Sequence, residues 1–158
     1  LPALLVALEG EVTLTSRDRG TRSTSGSDFF LGPLMTDRQP DELVSSIWFP
    51  SYEGKIIVNE MVDRPGDFAI VGAMAGYALE VGSIVNVRIV VFGVAGVPIR
   101  LREIEALLNG EHPNDDLLAH AAAQVHEFLD PQGDIHGSAK YRRHLASTLV
   151  HRCLRDAA

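Results

Sequence analysis

IIVNEMVDRPGDFAIVGAMAGYALEVGSIVNVRIVVFGV, residues Ile56 to Val94, decides the architecture of this chain. Three runs within it, Ile56–Val62, Phe68–Leu79 and Ile84–Val94, are rich in β-branched residues and read as strands. The first two are separated by Arg64-Pro65-Gly66-Asp67, the last two by Glu80–Ser83. A parallel pair needs a long crossover, so neighbours joined this tightly run antiparallel. The middle run carries Gly72, Ala73, Ala75 and Gly76. Small residues at these positions let another element pack closely on the sheet, most simply a helix.

Upstream, Pro50–Gly54 is a turn-rich break, preceded by the β-branched and aromatic run Leu43–Phe49 that follows Asp41-Glu42. Glu11–Ser16 alternates, Val12 and Leu14 on one face and Thr13 and Thr15 on the other, the pattern of a half-buried strand. Arg17–Gly20 is a polar hairpin turn and Thr21–Ser25 a return strand. Asp28 is placed to cap a short turn over Phe29 and Phe30, which Gly32-Pro33 then breaks. The opening Leu1–Leu8 suits one or two helical turns ended by Gly10. It lacks the charged flank of a signal peptide and does not start with Met, so it reads as an element already under way.

Downstream of Pro98 the hydrophobic period changes. Leu101, Ile104, Leu107 and Leu108 share a helical face stopped by Asn109-Gly110. Leu117, Leu118, Ala121, Ala122, Val125, Phe128 and Leu129 form a second stripe with Asn114 as its cap. Ser138 suits the cap of a third helix that presents Tyr141, Leu145, Leu149 and Cys153 on one face. Strands followed by helices define an α+β fold rather than a doubly wound parallel sheet. Pro50–Gly54 is the expected boundary between a unit of residues 1–50 and one of residues 51–158.

The totals narrow the function. A net charge of −7 repels phosphate backbones, which argues against a nucleic-acid partner. No apolar run reaches the roughly 18 residues of a membrane helix; the stretch Ile84–Val97 is broken by Asn86, Arg88, Gly93 and Gly96. The single cysteine, Cys153, rules out an intrachain disulfide and favours a reducing, cytoplasmic setting.

Catalytic fingerprints are missing. There is neither a GxGxxG nor a P-loop, and no GxSxG elbow. His120 and His126 point to different helical faces, while His144 and His151 share one but are too few to hold a metal. His126-Glu127 lacks the second histidine of HExxH. Cys153 lies on an apolar stripe and reads as a small buried hydrophobe rather than a nucleophile.

Four stretches, in order, carry a resemblance. They are Asp28-Phe29-Phe30-Leu31-Gly32-Pro33 with Asp41-Glu42-Leu43, then Arg64-Pro65-Gly66-Asp67-Phe68-Ala69, then Val91–Arg100 (VFGVAGVPIR), then Asp134–Leu145 (DIHGSAKYRRHL). Together they resemble the C-terminal half of the FAD-binding medium subunits of molybdenum hydroxylases, the carbon monoxide dehydrogenase and xanthine dehydrogenase family. Asn86-Val87-Arg88 and Phe92-Gly93 depart slightly from that family's usual Arg-x-Ala-x-Gly-Gly pattern, with Phe92 replacing a small residue.

The resemblance implies the end of an FAD-binding subdomain up to about Pro50. An antiparallel sheet with a three-helix C-terminal bundle follows. It implies FAD in the intact subunit, gripped mainly by two glycine-rich loops that this sequence lacks, and molybdopterin and [2Fe–2S] centres in a large and a small partner subunit. Leu1 matches the position just after the second loop. Val44 matches an aliphatic residue packed on the flavin ring, or is simply a core strand residue. Glu60 to Ile70 matches a segment beside the ring, where Arg64 and Asp67 would set the local field, although the same residues also suit a plain solvated turn. Asn59 falls where some relatives carry a lysine. Asp134 or Ser138 would cap the last helix, Tyr141 would pack inside, His136 would serve capping or an interface, and Arg142 and Arg143 would face a partner subunit.

Three functions are thus open: a redox-subunit portion passing electrons from iron–sulfur clusters through FAD to an acceptor, a flavin-free interaction or scaffold module of the same fold, and, with nothing in the sequence to support it, a small independent enzyme.

Overall fold

The computed structural model describes residues 1–157. Helix α1 (Pro2–Ala7) opens with proline at its first position, where the missing N–H costs nothing. Strands β1 (Glu11–Ser16) and β2 (Gly20–Ser25) form the expected hairpin, its turn closed by Gly20 at φ +76°. A single helical turn, α2 (Gly26–Phe29), follows. Its cap is Ser25, whose Oγ accepts from the Asp28 N–H at 3.1 Å. The cap expected at Asp28 is therefore three residues earlier; the Asp28 carboxylate instead accepts a hydrogen bond from the Ser25 hydroxyl. Strands β3 (Phe30–Gly32) and β4 (Met35–Thr36) make a small hairpin that the sequence reading lacked, and β5 (Glu42–Trp48) pairs antiparallel with β1.

The second sheet is the one that residues 56–94 define. Its order is β6 (Lys55–Met61), β7 (Val71–Glu80), β8 (Ser83–Phe92) and β9 (Ile99–Arg100), and every pairing is antiparallel. β7 begins at Val71, so Phe68, Ala69 and Ile70 belong to the preceding turn rather than to the strand. Helices α3 (Arg102–Leu108), α4 (Asp115–Gln124) and α5 (Ala139–Asp156) complete the chain, with a 3-10 turn at Val125–Phe128. Asn114 and Ser138 cap α4 and α5 as read, accepting from the N–H groups of Leu117 and Tyr141. The tightened turn rotates Phe128 off the apolar stripe, and Phe128 and Leu107 are both partly exposed. No helix among the described residues is long and apolar enough to cross a membrane.

β7 is buried on both faces, which is why it reads as a near-continuous apolar run. Ala73, Ala75 and Tyr77 pack with β8 side chains against α3, α4 and α5. On the opposite face Met74 and Val90 meet Ala3, Val6 and Ala7 of α1. α1 also sends Leu5 into the core of the first sheet, with Val12, Leu14 and Phe29. One helix thus cements the two sheets. Glu9, just past it, reinforces the junction through Arg100 at 2.8 Å and Arg102 at 2.9 Å.

The small residues of β7 divide their work between the faces. Ala73 and Ala75 admit α5, whose Cys153 thiol lies 3.6 Å from the Ala73 carbonyl. Gly72 and Gly76 serve neighbouring strands instead: a Cβ at Gly72 would overlap the Phe92 ring, and one at Gly76 the Lys55 carbonyl. A ring can swing aside and a paired backbone cannot. Gly76→Ala is expected to cost about 1–3 kcal/mol, the range for overpacking, and Gly72→Ala less, with Phe92→Leu restoring the latter. Urea denaturation of the three variants checks this; equal losses for the two glycine changes would contradict it.

The first sheet carries a pH-sensitive pair. Glu42 is buried, and its carboxylate accepts from Arg22 at 2.7 and 2.9 Å and from the Gln39 N–H at 2.8 Å. The Arg22 bonds, then the Gln39 N–H, pull its pKa from 4.5 down to about 2. A depressed folded-state pKa stabilises above the unfolded value, and that stability is lost as pH falls through the folded value. The wild type is expected to lose thermal stability between pH 4.5 and about 2. Glu42→Gln should be less stable at neutral pH and flatter across that window. Parallel curves for the two proteins would rule the pair out as a source of acid sensitivity.

Candidate functional site

An apolar cleft of about 590 Å³ opens between the β3–β4 hairpin, the start of α1 and the second sheet. The β3–β4 hairpin supplies Pro33, Leu34 and Met35, β6 supplies Val58 and Glu60, β7 and β8 supply Met74, Phe92 and Gly93, and residues 95–98 close one end. Leu1, Pro2 and Ala3 complete it. None of the lining residues is Lys, Arg or His, and Glu60 is the ionisable side chain in the wall. Phe92, the departure from the family pattern, lays its ring over Gly72 and lines the cleft. Gly93 takes φ +77° where a Cβ would come within 2.7 Å of the Ile70 carbonyl oxygen, so the chain can turn there only without a side chain.

Strand alternation sorts the β6 residues. Val58 and Glu60 face the cleft, whereas Ile57 and Met61 pack on the helical side. Asn59 goes with the latter: its Nδ2 donates to the Cys153 Sγ at 3.4 Å, which takes its side chain away from Glu60. Leu1 and Glu60 are brought together in the cleft. Val44 is not among its walls; it sits on β5 opposite Leu14 and is 43% exposed, too open for a plain core residue. Arg64 and Asp67 stand exposed on the turn between β6 and β7, closed by the Asp67 N–H to the Arg64 carbonyl at 3.0 Å and by Gly66 at φ +93°. Asp67 lines a second, polar pocket of about 420 Å³ with Asp63, Phe68, Asp134, His136 and Arg142.

The DIHGSAKYRR segment is used internally. Asp134 accepts from the His136 and Gly137 N–H groups and so shapes the loop, while Ser138 caps the helix. Tyr141 is 41% exposed rather than packed inside. Arg142 is buried, and Arg143 is spent on the Leu129 carbonyl and the Asp130 carboxylate. Arg142 is thus not free to reach outward as the sequence reading expects, whereas the Arg143 side chain stays 36% exposed.

Cys153 is fully buried in the core, and burial pushes its thiol pKa up. Its reaction with a thiol reagent is expected to track global unfolding; rapid labelling of the native protein would show an open core. The cleft walls that sequence reasoning missed, Pro33 to Met35 and residues 95–98, had one usable signal. Leu34 is a large apolar residue in a turn, at φ +57°, fully exposed.

Comparison with known proteins gives the architecture its class. The chain is 33% identical over its whole length to the glyceraldehyde dehydrogenase medium chain of Sulfolobus acidocaldarius, covering 56% of that protein. It is 33% identical to the nicotine 6-hydroxylase medium subunit of Paenarthrobacter nicotinovorans, across 99% of this chain and 55% of that one. Quinoline 2-oxidoreductase from Pseudomonas putida 86 superposes with a TM-score of 0.92 at 30% identity, across 99% of this chain and 54% of that one. These relatives are oxidoreductases or subunits of them, and the chain spans about half the length of the curated relatives it matches. More narrowly, residues 57–157 match the family described as CO dehydrogenase flavoprotein C-terminal domain, and the chain belongs to that family.

Proposed function

We propose that these residues are the C-terminal portion of the FAD-carrying medium subunit of a molybdenum hydroxylase. The single observation that carries the reading is end-to-end similarity: medium chains of several such enzymes align with 99% or more of this chain, well beyond the matched family domain. In this reading residues 1–50 end an FAD-binding subdomain and residues 51–158 form the flavoprotein C-terminal domain. The partners are a large molybdenum-cofactor subunit and a small [2Fe–2S] subunit, in a reducing cytoplasm that suits a lone buried thiol.

The residues present fit one part of FAD. An apolar cleft bounded by flat and branched side chains suits a tricyclic ring, with Glu60 as a polar contact at its wall. Those walls carry no Lys, Arg or His side chain to hold a pyrophosphate. Leu1 and Glu60 would border the ring within the cleft, while Val44, on β5, stands outside its walls. Arg64 and Asp67 would act from the turn through their charges, while Asn59 would contribute only through the course of β6. When bound, FAD supplies the electron-carrying chemistry between the iron–sulfur clusters and an acceptor; the protein contributes placement and field.

The test is to purify the intact polypeptide with its copurifying subunits and add a reducing substrate of the relatives under anaerobic conditions. Bleaching of both flavin and iron–sulfur absorbance supports the reading. A preparation without flavin that still assembles would favour a flavin-free interaction module.

A further inference from the structure

Arg142 sits where three segments distant in sequence meet. From α5 its Nη1 donates to the Ile70 carbonyl, at the end of the β6–β7 turn, and to the Gly93 carbonyl, at the end of β8, at 2.7 Å. Its Nη2 bonds the Asp134 carboxylate at 2.7 Å. The side chain is 8% exposed. The same point is crowded from every side: a Cβ on Gly93 would approach both the Ala69 and Ile70 carbonyls, and one on Gly137 would touch the Ile70 side chain. Asp134 is itself fixed by N–H donors from His136 and Gly137. By contrast the turn is closed by backbone alone, Ile70 N–H to the Met61 carbonyl at 2.8 Å and Asp67 N–H to that of Arg64. Gly93 lines the apolar cleft, while Ile70 and Arg142 line the polar pocket, so the bonds of Arg142 join a wall of one to a wall of the other.

We propose that Arg142, anchored by Asp134, is a positioning residue: it pins the base of the Met61–Ile70 turn to the end of β8 and thereby fixes where Arg64, Asp67 and Phe68 stand. Its consequence for a flavin rests on the function proposed above; its consequence for the turn does not. A buried guanidinium suits the task because its planar fork holds two carbonyls and a carboxylate at once, which a lysine ammonium matches poorly. The role also explains why Arg142 faces inward although its segment reads as a surface motif.

The test uses the intact subunit in its assembly, as Arg142→Lys, Asp134→Asn and, for comparison, Arg143→Lys, whose partners Leu129 and Asp130 lie away from the turn. An endoproteinase that cuts before aspartate reports turn opening at Asp63 and Asp67. Cleavage there is expected to rise about tenfold or more in Arg142→Lys, as for loss of one charge-assisted bond, to rise less in Asp134→Asn, and to be unchanged in Arg143→Lys. The flavin midpoint potential should move in the same direction in the first two variants and stay at the wild-type value in the third. If Arg142→Lys does not fold, Asp134→Asn decides, since its side chain is half exposed and outside the core. Wild-type cleavage in the folded variants overturns the proposal. Faster cleavage with an unmoved potential overturns the role at the flavin. A wild type without flavin defeats the functional reading, while the cleavage rates still decide the clamp.

Discussion

Arg100→Ala is expected to destabilise the fold by about 3–5 kcal/mol, the usual result of removing one partner of a buried ion pair. The side chains of Arg100 and Glu105 are 7% and 10% exposed and meet through three contacts between 2.8 and 3.1 Å. Glu105 also accepts the Ile89 N–H at 2.8 Å, so the pair ties the start of α3 to the middle of β8. Without Arg100 the carboxylate stays buried and uncompensated, and Glu9 loses one of the cations that hold the two sheets together. Replacing both partners by methionine removes the stranded charge and should recover most of the loss, leaving the Ile89 N–H without its acceptor at about 1–3 kcal/mol. Urea denaturation of the single and double variants measures both. A single variant as stable as wild type would show that the pair contributes nothing net.

The second large effect concerns the cofactor. These 158 residues alone are expected to bind FAD weakly or not at all, at least about a thousandfold more weakly than the intact subunit. Two or three charge-assisted hydrogen bonds to a pyrophosphate, at roughly 1.5–3 kcal/mol each, account for such a factor. The cleft offers an apolar surface but no cationic side chain in its walls to grip a phosphate. Fluorescence anisotropy of FAD titrated with the chain and with the intact subunit measures the ratio. Tight binding by the short chain would place the main grip within these residues and overturn the division of labour.

Strand periodicity and turn chemistry carried most of the fold. β1 alternates cleanly because one face meets a core, and the separators 64–67 and 80–83 are too short for anything but antiparallel neighbours. The caps at Asn114 and Ser138 were legible because such side chains reach back to the helix N–H groups. The β3–β4 hairpin was not, since strands of two and three residues show no period.

The site was less legible than the fold. Glu60 and Asn59 are neighbours on a strand and so face opposite sides, but only the observed packing shows which of them meets the cleft. Arg142 and Arg143 looked alike as surface charges. One is buried between two carbonyls and the other bridges an adjacent loop, a difference set by packing partners dozens of residues away.

The most direct measurement is the FAD content of the intact subunit that carries this chain, released by acid and set against protein concentration. One FAD per subunit is the result predicted by a flavoprotein medium subunit. An assembled, folded subunit with no flavin, which takes none up when FAD is supplied, would contradict it.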